Sequence, residues 1–144
     1  MEQSFYTRLQ FARRIGDYLL INLSFFVGYI LKFGFNIEVF NSNNYLLLLL
    51  IFNISWFVAS SILKSYNTGS INFSFWRTID RASRLVFLHI LIMVAFNGII
   101  KTYFSRLFFL YTYINLTVLI FLWRYLSLKI MVRSEERRVG KECR

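Results

Sequence analysis

Asn44–Leu63 reads NYLLLLLIFNISWFVASSIL, and no charged residue interrupts the chain between Glu38 and Lys64. A hydrocarbon core about 30 Å thick needs about 20 apolar residues of helix, which this stretch supplies. It is apolar all round, with only Asn53, Ser55, Ser60 and Ser61 as polar side chains after its first residue. Such a helix has no wet face to offer a soluble fold. A small soluble domain buries only about two thirds of the surface its unfolded chain exposes, too little to hide this stretch and the others like it. The stretch therefore reads as a transmembrane helix, and the remaining apolar runs are to be judged in the same solvent.

The composition agrees. The 144 residues are 57% hydrophobic and 20% aromatic, with 17 Phe and no Pro, which is membrane rather than globular usage. A formal charge of +10 would suit a nucleic-acid binder. The placement argues otherwise, because the basic residues sit between apolar runs and leave no continuous soluble groove. They read as anchors facing anionic lipid headgroups, so the bilayer is the expected partner and nucleic acid is not. Cys143 is the only cysteine and His89 the only histidine. Neither a disulfide nor a metal cluster follows from that pair, and His89 is expected at a helix–helix contact.

Residues 1–14 form a basic, cytoplasmic N-terminus with Arg8, Arg13 and Arg14. The apolar run after them lacks a small-residue cleavage site, with Phe25, Phe26, Tyr29 and Phe33 where small residues would be needed, so it reads as an uncleaved first span. The spans are expected over about 15–33, 44–63, 82–100 and 107–126. Asp17 stands at the cytoplasmic end of the first, positioned for Arg13 or Arg14. Between spans two and three, Lys64–Arg84 (KSYNTGSINFSFWRTIDRASR) reads as a loop at headgroup level. Its aromatic rings would lie at the interface, and Arg77, Arg81 and Arg84 would contact lipid headgroups. Asp80 lies at helical spacing from Arg77 and Arg84. The short Lys101–Arg106 connection makes spans three and four neighbours, and Trp123, Arg124 and Tyr125 read as an aromatic belt with a snorkelling cation.

Asn22, Asn53, Asn97 and Asn115 give each span one asparagine, and with His89 they are the candidates for polar contacts between helices. Lys and Arg concentrate in the N-terminus, the middle loop and the end of span four. The positive-inside rule then puts both termini and the middle loop in the cytoplasm. The expected fold is an all-α integral membrane protein of four transmembrane helices, an antiparallel bundle with both termini cytoplasmic. Homo-oligomer contacts would be compatible with it.

The final residues, Arg133–Arg144 (RSEERRVGKECR), break sharply with the preceding composition. They match the translation of a common short-read sequencing adapter. The segment is expected to be an assembly artefact, with the natural sequence continuing beyond Val132.

Three segments resemble, in order and spacing, the N-terminal membrane region of bacterial polyprenyl glycosylphosphotransferases. They are GDYLLINLSFFVGYILKFG at Gly16–Gly34, FNISWFVASSILKSY at Phe52–Tyr66 and KTYFSRLFFLYTYINLTVLIFLWRYL at Lys101–Leu126. The family includes the undecaprenyl-phosphate glucose phosphotransferases of capsule and exopolysaccharide synthesis. The resemblance covers Arg8 to Val132. It implies a bacterial inner-membrane, multi-pass location and a complete relative with four spans, a Rossmann-like cytoplasmic domain and a C-terminal sugar transferase domain. That last domain moves hexose-1-phosphate from a UDP-sugar to undecaprenyl phosphate with Mg²⁺ and acidic residues, and UMP leaves. The family's catalytic residues have no matching positions here. Catalytic, cofactor-binding and metal-ligating sites are accordingly expected to be none in this fragment, which would serve as a membrane anchor beside the lipid carrier.

A reading from another class is a small four-span protein of the GtrA-like type that translocates a lipid-linked sugar, or a membrane scaffold. Transporters usually carry an intramembrane charge or broken helices. The span centres here hold no Asp, Glu, Lys or Arg, which favours the anchor.

Overall fold

A computed structural model describes residues 2–36, 40, 44–65, 75–100 and 104–142, with side chains described only between residues 11 and 129. The expectations placed on Arg8, on Glu38, on residues 66–74 of the middle loop, on Lys101 and on Cys143 fall outside the described residues or side chains. Four helices follow in chain order: α1, Glu2–Phe33; α2, Tyr45–Ile62; α3, Phe75–Ile100; and α4, Arg106–Glu142. Each contains a window long and apolar enough to cross a membrane: Phe11–Phe33, Tyr45–Ile62, Phe75–Ile99 and Arg106–Lys129. At 1.5 Å per residue these windows run about 27–37 Å, enough to match a bilayer core. The chain is, on this basis, a multi-pass membrane protein.

Helices α1, α3 and α4 overrun the spans expected from hydropathy, while α2 stays within its own. Helix α1 is already helical at Glu2, and α4 continues unbroken through Arg133–Glu142. The clearest correction concerns the middle loop. Residues 75–84 are the first turns of α3 and not part of a loop. Phe75, Trp76 and Ile79 alternate with Arg77, Asp80, Arg81 and Arg84 at helical spacing, so charge and helix are compatible there, and hydropathy alone could not see it.

Local chemistry explains the helix ends. Helix α1 stops at Gly34, whose φ of 67° is left-handed, and its N–H bonds Ile30 O at 2.8 Å. Asn44 precedes α2 with φ 57°, a conformation that asparagine tolerates better than most residues. At the other end of α2, Ser65 N–H reaches Ser60 O (3.2 Å) and Lys64 N–H reaches Ser61 O (3.3 Å). This is the Schellman pattern, with Lys64 (φ 44°) in the place usually taken by glycine.

The interior is read from stripes that hydropathy does not separate. On α4, Phe108, Thr112, Leu116, Ile120, Arg124 and Leu128 are buried, while Leu107, Leu110, Ile114, Val118 and Leu122 are exposed. On α1 the buried stripe is Asp17, Ile21, Ser24, Phe25, Gly28 and Tyr29. These two stripes face each other and form the most extensive helix contact among the described residues. Gly16 lies against Trp123 and Gly28 against Thr112. A Cβ on Gly28 would stand 2.9 Å from the Thr112 Cα and N, inside the partner's backbone envelope. In lipid the neighbouring helices gain little from apolar burial, so close approach at small residues supplies the packing attraction. An aromatic cluster fills the far end. Phe25, Phe52 and Phe108 meet at 5.0–5.5 Å, and Tyr45 packs on Tyr29, Phe33, Phe104 and Phe108 at 5.3–5.5 Å.

Gly28→Val should lower stability by about 1–3 kcal/mol through overpacking against Thr112. Gly98→Ala, with nothing within 4 Å of the added methyl, should leave it unchanged or slightly raised. Denaturation midpoints of the purified chain in mixed micelles check the contrast.

Candidate functional site

Polar side chains collect in three places, each where two or more helices meet. Asp17, near the start of the spanning window of α1, and Arg124, near the end of that of α4, form a buried ion pair, Nη2 to Oδ2 2.7 Å, between residues 107 apart in the chain. Asp17 is fully buried and Arg124 nearly so. Sequence reasoning placed Arg124 as a snorkelling cation and gave Asp17 to Arg13 or Arg14. Burial of Arg124 against Asp17 corrects the snorkelling assignment, while the Asp17 carboxylate also acts electrostatically on Arg13. Gly16, with no side chain of its own, leaves room for the Trp123 indole beside the pair. The signal was in the chain. Asp17 is the only acid between Glu2 and Glu38, and Arg124 the only charge between Arg106 and Lys129. Lone opposite charges at the ends of apolar runs are natural partners.

The second polar group lies in the middle of the bundle. His89 of α3 is fully buried between α2 and α4. Its Nε2 stands 3.1 Å from Phe52 O and 2.9 Å from Ser55 Oγ, and its Nδ1 stands 3.2 Å from the Tyr113 hydroxyl. A carbonyl oxygen only accepts, so Nε2 carries the ring proton and Tyr113 O–H donates to Nδ1. Ser55 O–H is within reach of Phe52 O (3.0 Å) and Met93 Sδ (3.3 Å) as acceptors. The rings of Phe52, Trp56 and Tyr113 surround the imidazole at centroid distances of 4.6, 5.3 and 5.7 Å. This arrangement satisfies the histidine and holds three helices together. Among the described residues, no three His, Cys, Asp or Glu side chains group as metal ligands.

The asparagines divide. Asn22 and Asn53 exchange reciprocal side-chain hydrogen bonds, 3.0 and 2.9 Å, between α1 and α2. Each also donates to its own helix, at Tyr18 O and Leu49 O. Asn97 and Asn115 donate to Met93 O and Tyr111 O, four residues back in their own helices. Intrahelical bonding of this kind is open to any asparagine in a helix, and spacing along one span cannot tell it from a bond across the interface.

The third place is the end of the bundle where Arg13, Arg14, Lys64, Arg81, Arg84 and Arg124 meet. Arg84 pairs with Asp80 at 3.0 Å on the exposed surface of α3. Arg81 and Arg84 line a cavity of about 360 Å³ with Leu63, Lys64, Ser65 and Asp80. Arg77 is exposed and does not line it. Ser65 is buried, and its Oγ has no hydrogen-bond partner among the described residues. Lys64 and Ser65 were not among the sequence candidates, since in a linear reading they are simply where a loop begins.

Compared with protein-family models, curated proteins and solved structures, the chain matches none.

Asp17→Asn leaves Arg124 buried without its charge partner and should cost about 3–5 kcal/mol, whereas the double change Asp17→Leu with Arg124→Met should recover most of the loss. A double-mutant cycle of Asn22→Leu and Asn53→Leu should show a coupling of about 0.6 kcal/mol. Both are read from reversible denaturant titrations in micelles.

Proposed function

We propose that this chain is the membrane-anchoring module of a glycan-initiating enzyme, one that transfers hexose-1-phosphate from a UDP-sugar to undecaprenyl phosphate at a bacterial inner membrane. Resemblance over Arg8–Val132 suggests the family, and the observation that carries the anchoring role is the clustering of cations at one end of a bundle whose middle is closed by satisfied polar bonds. Arg13, Arg14, Lys64, Arg81, Arg84, Arg124 and Lys129 come from the start of the spanning window of α1, the end of α2, the start of α3 and the end of the spanning window of α4. The order of contacts supports an antiparallel, up-and-down crossing. Asp17 meets Arg124 while Gly28 meets Thr112; Asn22 meets Asn53 while Tyr29 meets Tyr45; Phe75 meets Tyr125 while His89 meets Tyr113. The basic end is then cytoplasmic, with both termini, by the positive-inside rule. An anchor of this kind contributes local concentration of an attached catalytic domain beside its lipid carrier, and no bond chemistry of its own.

The translocator reading draws on the polar knot at His89. A translocator needs a polar path that opens, and the knot's bonds are made within a ring of aromatics.

The chain reconstituted in vesicles should release no UMP from UDP-glucose above a protein-free control, and should not move a fluorescent lipid-linked sugar between leaflets. Cysteines placed near residues 5 and 132 should be modified by impermeant reagent only from the cytoplasmic side of inverted vesicles. UMP release would remove the anchor reading, leaflet exchange would establish the translocator, and periplasmic labelling would reverse the topology.

A further inference from the structure

The basic cavity does not stand alone. On the other side of α2 a groove of about 470 Å³ runs between α1 and α2, lined by Phe11, Arg14, Ile15, Tyr18, Phe57, Ser60, Ser61 and Lys64. Lys64 lines both spaces. One space is lined largely by apolar side chains at the lipid-facing surface, and the other by Lys64, Ser65, Arg81 and Arg84. From this juxtaposition we propose that the end of α2 is a binding site for one anionic phospholipid, its phosphate held at Lys64 and Ser65 and an acyl chain lying in the α1–α2 groove. The proposal goes beyond the anchoring role and is independent of the transferase assignment.

Charge selects the occupant. The groove has no carboxylate in its lining, and the only one in the cavity, Asp80, is paired with Arg84. Among the described residues no carboxylate forms an ion pair with Lys64 or Arg81. The buried Ser65 hydroxyl, without a partner among those residues, is the group a phosphate oxygen would satisfy. Exposed Phe11, Ile15 and Phe57 offer the contact surface for a hydrocarbon chain. The backbone adds a further sign. Lys64 holds a left-handed φ of 44° where glycine would be at ease, so a lysine there gives up conformational comfort for its side chain. A headgroup diester, unlike free phosphate, engages both spaces.

The same position provides a variant that separates binding from folding. Lys64→Gly removes the cation while easing the turn, so denaturation of the lipid-free chain should be unchanged or shifted to higher denaturant. Bound phosphatidylglycerol, counted by native mass spectrometry of the purified full chain, should then need about fivefold more lipid for half occupancy. Ser65→Ala should weaken it in the same direction, and Arg77→Ala, an exposed cation outside the cavity, should not. Phosphatidylcholine should not compete, nor should inorganic phosphate. Equal losses in Lys64→Gly and Arg77→Ala would reduce the effect to general surface charge and overturn the site. Equal retention of phosphatidylcholine, whose phosphodiester is neutralised by its choline, would overturn the selection of an anionic lipid. Displacement by inorganic phosphate would show a soluble-anion site in place of a lipid site.

Discussion

Asp17 and Arg124 are buried together where α1 meets α4, and the arrangement of the other helices depends on that contact. Two charges brought out of water lose several kcal/mol of hydration each, which their attraction offsets only at good geometry. The 2.7 Å approach provides that geometry, and Gly16 makes room for the Trp123 indole next to it. The net contribution to stability is modest, but either charge alone is strongly disfavoured. The pair thus acts chiefly on register. It matches the first helix to the last, and Gly28 against Thr112 continues the same match deeper in the bundle. Helices α2 and α3 then dock on this frame through the Asn22–Asn53 bonds, the His89 knot and the aromatic cluster.

The polar bonds solve a problem that the bilayer creates. Lipid tails are as apolar as leucine, so apolar side chains do not by themselves say which helix faces should meet. Ser55, His89 and Tyr113 do say it, because each would lose a hydrogen bond if turned toward lipid. Their bonds stay within the bundle, close on themselves and are boxed by Phe52 and Trp56. At the basic end the cations lie in the opposite condition, mostly exposed and at the edge of two cavities. The middle of the molecule therefore holds shape, and its chemistry toward lipid lies at one end.

Hydropathy made the four helices legible because membrane solvent imposes length and apolarity on each span. It left the packing faces dark for the same reason: on α4, buried Leu116 and exposed Ile114 are equally apolar. The amphipathic opening of α3 read as a loop, since its alternating arginines and aromatic rings mask a helix in a hydropathy window. Asn22 and Asn53 could be singled out as polar, but one chain without a partner map cannot distinguish them from Asn97 and Asn115, which bond their own helices. The Lys64–Ser65 corner was hidden because its meaning is conformational. It appears only when α2 ends in a left-handed lysine beside the first turns of α3.

The most direct test of this account is a charge swap. Denaturant stability would be measured for Asp17→Arg, for Arg124→Asp and for the chain carrying both. The account predicts that each single reversal is severely destabilised, by burying like charges together, and that the swapped chain regains a large part of the loss because the contact is restored. Losses that simply add in the swapped chain would show that Asp17 and Arg124 do not meet, and would contradict the α1–α4 frame on which the bundle is built.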